Sequence, residues 1–220
     1  IRNCNMSYCY ATGNVAVNNS GAGFIRGVND SNFAYCYSTG TITGRHVAGF
    51  TSFFSDSTAY RCYTTVCVIG VGETSWAFGF TYTCSMSEIR ECFATGNVSG
   101  AERISGFTYS AGAGSIIIDC YSLCDIYIID TNENSVVILG GFINRITAFP
   151  DIYHKSRIAN CYYAGNIYDG VFSEASIIGG FIGDTSSHLD NVTIENVFWV
   201  RHDDSPATES IGKLYPAISY

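Results

Sequence analysis

A cysteine followed by an aromatic residue returns six times along the chain, at Cys9-Tyr10, Cys36-Tyr37, Cys62-Tyr63, Cys92-Phe93, Cys120-Tyr121 and Cys161-Tyr162, and a degenerate seventh copy reads Val197-Phe198. The intervals are 27, 26, 30, 28, 41 and 36 residues. Between the pairs a second landmark recurs in strict alternation, at Gly23-Phe24, Gly49-Phe50, Gly79-Phe80, Gly106-Phe107, Gly141-Phe142 and Gly180-Phe181. A small or apolar residue precedes each pair by three places, at Met6, Phe33, Ala59, Ile89, Ile117, Ile158 and Ile194. A unit this short cannot bury an apolar face alone, so its neighbours must stack against it and share one continuous core.

The run after each cysteine is short and strand-like: CYATGNV from Cys9, CYSTGTI from Cys36, CFATGNV from Cys92 and CYYAGNI from Cys161. Alternating Val, Ile, Thr, Tyr and Phe bounded by Gly, Asn and Ser predict strands, and no helical period survives the glycines. The expectation is an all-β chain, a β-solenoid (parallel β-helix-like) of about six to seven coils. With coils ~4.8 Å apart, such an array is roughly 30 Å long. Residues 1–200 are expected to form the repeat array and residues 201–220, with Pro206 and Pro216, a non-repeat capping segment. The longest interval carries a predicted loop from Asn144 to Lys155, including Pro150, and Asp130 to Asn134 is a predicted turn. The repeat is already running at Ile1 to Val15, which predicts either further protein upstream or an end that joins a neighbour.

These motifs resemble the GLUG-motif repeat proteins, in which an NCYATGNV-like strand is followed by a GGLVG-like or GGFVG-like strand. The nearest copy here runs from Ile158 to Ile167 and continues with Gly179-Gly180-Phe181-Ile182-Gly183. Asn196-Val197-Phe198-Trp199 followed by Ser205 to Gly212 is similar to the segment that closes such arrays. The sequence departs from the pattern where Phe replaces the usual Leu of the second strand, and where Val66-Cys67 stands in place of Gly-Asn. The resemblance implies a secreted or surface-anchored microbial β-solenoid, from a family with no common enzymatic activity.

Strand alternation places Cys, Ala or Ser, and Val or Ile on one side of the motif strand and Tyr, Thr and Asn on the other. Small Cys and Ala suit a tight interior, so Cys9, Cys36, Cys62, Cys92, Cys120 and Cys161 are expected to form a buried ladder. The apolar residue three places upstream has the opposite parity, which calls for a corner or bulge before the cysteine. An aromatic ladder of Tyr10, Tyr37, Tyr63, Phe93, Tyr121 and Tyr162 then faces outward, continued by Phe198, beside Thr12, Thr39, Thr65 and Thr95. Such a strip is either covered by the same subunit or marks an interaction surface. A neighbouring subunit is the favoured occupant, since Tyr and Phe are enriched in interface cores. Glycan stacking is the weaker alternative, and ice binding the weakest because the threonine file stops at Leu123 and Ala164.

Cys4, Cys67, Cys84 and Cys124 fall outside the cysteine repeat and are the candidates for disulfides, within or between subunits. Zinc needs closely spaced Cys or His ligands, and no CxxC or paired His is present, so no metal or other cofactor is expected. Candidate glycosylation sequons occur at Asn5, Asn18, Asn29, Asn97 and Asn191.

Catalysis on polysaccharides needs carboxylates close together, often with a basic partner. The best such grouping is Arg61, Glu91 and Asp119, one per unit, and a solvated file of alternating charge explains it better. His46, His154, His188 and His202 share no repeat position, and His202-Asp203-Asp204 reads as a polar turn. No catalytic residue is assigned, and no enzyme is expected. A formal charge of −8, from 11 Lys plus Arg against 19 Asp plus Glu, argues against nucleic acid as a partner. No apolar run reaches the ~20 residues of a membrane-spanning helix. The expected function is a non-enzymatic structural subunit of an extracellular or cell-surface assembly (sheath, filament or surface layer) that binds copies of itself through its ends and its aromatic face. The alternative is a stalk or adhesin module of a larger surface protein that binds glycans.

Overall fold

The computed structural model describes residues 1–147, 154–168, 170–185, 189–201, 205–207 and 209–213. These residues are nearly all β, with one short 3-10 turn at Leu189–Asn191. Their strands form three sheets of seven, eleven and twelve strands. Each inner strand bonds in parallel to its counterpart one repeat earlier and one repeat later, and the strands at the sheet ends to one of the two. Tyr63 thus pairs with Tyr37 on one side and Phe93 on the other, and Ile89 with Ala59 and Ile117.

The seven-stranded sheet collects the segments just before each cysteine, such as Asn32–Ala34, Glu88–Arg90 and Ser156–Ala159. The eleven-stranded sheet collects the motif strands in two rows, joined through the uninterrupted strand Tyr37–Gly44. The twelve-stranded sheet takes the segments on either side of the Gly-Phe landmark, also in two rows, joined through Ile177–Thr185. All three contribute to one hydrophobic core.

One corner is common to all the repeats, and a second of the same construction shapes the first five. The residue before each ladder cysteine, at Tyr8, Tyr35, Arg61, Glu91, Asp119 and Asn160, and Asn196 before the equivalent Val197, has φ between 50° and 57°. This left-handed residue turns the chain, so that Ile89 and Cys92 both point inward although they are three apart. That is the corner demanded by parity. The second corner repeats the device at Asn3, Asp30, Asp56, Met86 and Gly114, each followed by an inward Ser31, Ser57, Ser87 or Ser115, or by Cys4. The hydroxyls of Ser31, Ser57 and Ser87 donate to the carbonyl two residues back, for example Ser57 Oγ to Ser55 O at 2.6 Å, while Ser115 Oγ donates to Cys84 O at 2.8 Å. The first three also accept an amide from the preceding repeat, as in Ser57 N to Ser87 Oγ at 3.1 Å. The thiols copy this geometry, with Cys92 Sγ donating to Arg90 O at 3.1 Å and accepting Cys62 N at 3.3 Å.

The interior carries its own ring file. Phe24, Phe50, Phe80, Phe107, Phe142 and Phe181 stack face to face with centroids 4.5–4.9 Å apart. Burial contributes about 1.5–3 kcal/mol per phenylalanine, against roughly 0.5–1.5 kcal/mol for a ring pair, so exclusion from water dominates this file. The glycine before each ring is fixed by backbone approach: a Cβ on Gly79 would lie 1.8 Å from Gly106 O, and one on Gly49 2.0 Å from Gly79 O.

Of the segment expected to be non-repeat, Glu209–Lys213 adds a further parallel strand beside Ile177–Thr185, with a register shift between Gly179 and Ile182. Asn144 and Arg145, expected in a loop, belong to the strand Ile143–Ile146; Asn144 is buried, and its amide donates to Ile104 O at 3.1 Å. Pro150, Pro216, His188 and His202-Asp203-Asp204 lie outside the described residues.

Gly79→Ala should destabilise the protein by about 1–3 kcal/mol, whereas Gly27→Ala, where a Cβ meets nothing within 4 Å, should leave thermal unfolding nearly unchanged. Comparison of the two melting curves checks this.

Candidate functional site: an outward ring file and a cationic aromatic cluster

The motif strand turns Tyr10, Tyr37, Tyr63, Phe93, Tyr121 and Tyr162 outward, while Ser38, Thr64, Ala94 and Ser122 beside them point into the core. Parallel register places each ring over its counterpart, so the six rings form one stack with centroids 4.9–5.3 Å apart and interplanar angles no larger than 13°. The stack is partly solvent-covered along its length, and its end rings are open: Tyr10 is 64 % exposed and Tyr162 40 %. Phe198 pairs with Tyr162 in register and is 66 % exposed. Because every inner ring already has a ring on each face, the file presents edges and phenol hydroxyls to solvent. A sugar ring seeking an aromatic face finds none along it.

Arg61, Glu91 and Asp119 lie at successive left-handed corners. Arg61 Nε bonds Glu91 Oε2 at 2.6 Å, while Asp119 Oδ1 accepts from Asn160 Nδ2 at 2.9 Å, which in turn is bonded by Asn196. Arg61 also lies over Tyr60, 4.9 Å from the ring centroid. The arrangement is a file of exposed polar partners, each satisfied by the next repeat. Pairs this exposed contribute about 0–1 kcal/mol.

All ten cysteines are free thiols. Cys36, Cys62, Cys92, Cys120 and Cys161 are buried, and Cys9, in the outermost repeat, is half-buried. Burial pushes the Cys92 and Cys120 thiols well up; Cys161 is raised by its Cys120 contact and then by burial. The four cysteines outside the pair motif do have repeat positions. Cys4 stands in the serine file, its amide donating to Ser31 Oγ at 3.1 Å. Cys84 fills the core position that Phe54 and Ala111 hold in adjacent repeats, and burial raises its thiol to about 12. Cys124 occupies the interior place of Gly96 and Gly165, its Sγ donating to Gly106 O at 3.3 Å, and burial raises it also to about 12. Cys67 pairs in register with Thr41 and is half-buried. Although outside the cysteine repeat, two of the four are thus core residues and one belongs to a corner file.

Of the sequon asparagines, Asn5, Asn18 and Asn97 are exposed. Asn29 and Asn191 are half-buried, and Asn29 Nδ2 is bonded to Asp56 Oδ2 at 3.3 Å.

A second aromatic cluster, absent from the sequence reading, covers the outer side of the twelve-stranded sheet. Register aligns His46, Trp76 and Arg103 in three adjacent repeats. His46 stacks on Trp76 at 4.6 Å, and Arg103 lies 5.2 Å from the Trp76 ring and 5.8 Å from Tyr109. Phe78, Tyr82 and Tyr109 close around them. Trp76 Nε1 donates to Glu102 Oε2 at 3.0 Å. Beside this cluster opens a notch of about 410 Å³, lined by residues that include Glu73, Glu102, Arg103, Asn132 and Asn134. Among the described residues, no group of three or more His, Cys, Asp or Glu is arranged to hold a metal ion, and no helix is long and apolar enough to cross a membrane.

No known family model matches the chain, and no curated protein matches it either.

A thiol-specific reagent should modify only Cys4, Cys9 and Cys67 in the folded protein and all ten cysteines after denaturation, because the rest are buried; peptide mass mapping of the labelled sites checks this. Burial, and then the Arg45 charge, hold His46 below its ordinary value of 6.5. The unfolded chain therefore binds more protons here than the folded one. Stability from this group is complete above pH 6.5 and falls as the pH drops through the lower folded-state value. The melting temperature should decline as the pH falls below 6.5, and His46→Phe should flatten that decline.

Proposed function

We propose that the chain is a β-solenoid of six to seven coils, similar to the GLUG-motif repeat proteins, and a non-enzymatic structural subunit of an extracellular or cell-surface assembly. Its partner along the outward ring file is a second copy of itself. The observation that carries this is the file: six rings in one continuous stack, with centroids 4.9–5.3 Å apart. A surface that meshes with every ring must repeat at the same interval, and another copy of this chain does. The in-register pairing of counterpart residues across all three sheets supports the solenoid reading. Aromatic-rich faces of this kind form the cores of interfaces. The filament, sheath or surface-layer setting follows from the resemblance and from the rigidity of a stacked array.

Two copies each carrying −8 repel at long range, so association should tighten as salt screens the charge. Sedimentation velocity should report a concentration-dependent increase in size that grows with ionic strength. The combined Tyr37→Ser, Tyr63→Ser and Tyr121→Ser variant should remain monomeric with an unchanged far-ultraviolet spectrum. A wild-type chain that stays monomeric at its solubility limit in high salt overturns the self-association; negative-stain microscopy of the native material tests the assembly directly.

A further inference from the structure

In a repeat protein the residues that recur serve the fold. Unlike residues that break the repeat yet gather at one place call for another explanation. The row holding His46, Trp76 and Arg103 is filled elsewhere by Ser20, Ile138 and Ile177. The place of Phe78 is taken elsewhere by Ala22, Ala48, Ser105, Gly140 and Gly179. Large aromatic and cationic side chains are thus confined to a few adjacent repeats, and the notch opens at the same spot.

The notch has a simple origin. The turns carrying Glu73-Thr74 and Asn132–Asn134 are longer than the turn between them, which passes directly from Gly100 to Arg103. Two long turns flanking a short one leave a recess of about 410 Å³, within the usual range for small-molecule sites. Its walls are held in place. Glu102 is fixed by Trp76 Nε1 and pairs with Arg103 Nε at 3.4 Å. Thr74 Oγ1 accepts from Arg45 Nη2 at 2.9 Å, and Asn132 Oδ1 accepts from Asn134 N at 2.9 Å. Arg103 Nε and Nη1 are buried against the aromatic cluster and closed to solvent, so what the guanidinium brings to the recess is its positive charge beside Glu102.

We propose that this notch is a binding site for a neutral saccharide. Carboxylates at Glu73 and Glu102 accept from sugar hydroxyls, and the amides of Asn132 and Asn134 both donate and accept. Val136 and Ile138, on the same wall, offer an apolar patch to the C–H face of a pyranose. Two carboxylates against one guanidinium leave the recess net negative, in a chain of charge −8, which disfavours acidic sugars, phosphates and nucleic acid. The site lies on a different sheet from the outward ring file and does not depend on the self-association proposed above.

Trp76 reports on the site through Glu102 and Arg103, and the chain's only other tryptophan is Trp199. In the Trp199→Phe protein, glucose, mannose, galactose and N-acetylglucosamine are each titrated against Trp76 emission, with saturation-transfer NMR on the unmodified chain as a second measurement. At least one sugar should give a saturable emission change and transfer signals. Glu73→Ala and Asn134→Ala, both in exposed turns, should each weaken that binding about tenfold. Galacturonate should bind more weakly than galactose. Absence of transfer signal for all four neutral sugars, unaltered affinity in both variants, or tighter binding of galacturonate overturns the proposal.

Discussion

Parallel backbone hydrogen bonding between counterpart residues one repeat apart is the constraint from which the rest of the molecule follows. Most strands here are only two to five residues long, and none of that length persists alone in water. Each is held because its neighbours in the sheet present the same strand in the same register. The consequence is that nearly every side chain touches copies of itself, so a residue type is admissible at a repeated position only if it tolerates its own company. Rings stack on rings, hydroxyls relay to hydroxyls, thiols to thiols, and glycine passes over glycine. At the exposed corners, charged residues find unlike partners in a neighbouring repeat: Arg61 bonds Glu91, and Asn160 bonds Asp119.

The two six-ring files show how one geometry serves two energetic purposes. Inside, the phenylalanines from Phe50 to Phe181 are at most 1 % exposed, and burial is their main contribution. Outside, the same stacking leaves half-exposed edges, and what remains is a continuous, regularly spaced surface. The left-handed corners separate the two: by reversing the inside–outside alternation just before each cysteine, they put the thiol into the core and the next ring into solvent.

Much of this was legible in the sequence, because the landmarks that recur are the ones whose side chains stack. The Cys-aromatic pairs, the Gly-Phe pairs and the need for a corner all followed from counting and parity. The serine corner was equally periodic, with Ser31, Ser57, Ser87 and Ser115 spaced like the cysteines, but serine is common enough that its file did not stand out. Cys4, a member of that file, consequently read only as a cysteine outside the cysteine repeat. Cys84 and Cys124 read that way for another reason. They substitute for Phe, Ala or Gly at positions where the requirement is for a compact apolar filling, and identity alone does not reveal that a thiol meets it. The notch and its aromatic cluster were not legible at all. They depend on differences in turn length between repeats that lie next to each other in space, and on residues that break the pattern a search for repetition is built to find.

The alignment of the backbone bonds has a mechanical corollary. Because they run along the stacking direction, tension applied along that axis is shared by every bond between two adjacent layers at once. A force that peels one edge strand outward instead meets those bonds one after another. With all ten cysteines free within the chain, no disulfide ties one layer to the next, so the stacked layers resist a distributed load and yield more readily to a local one.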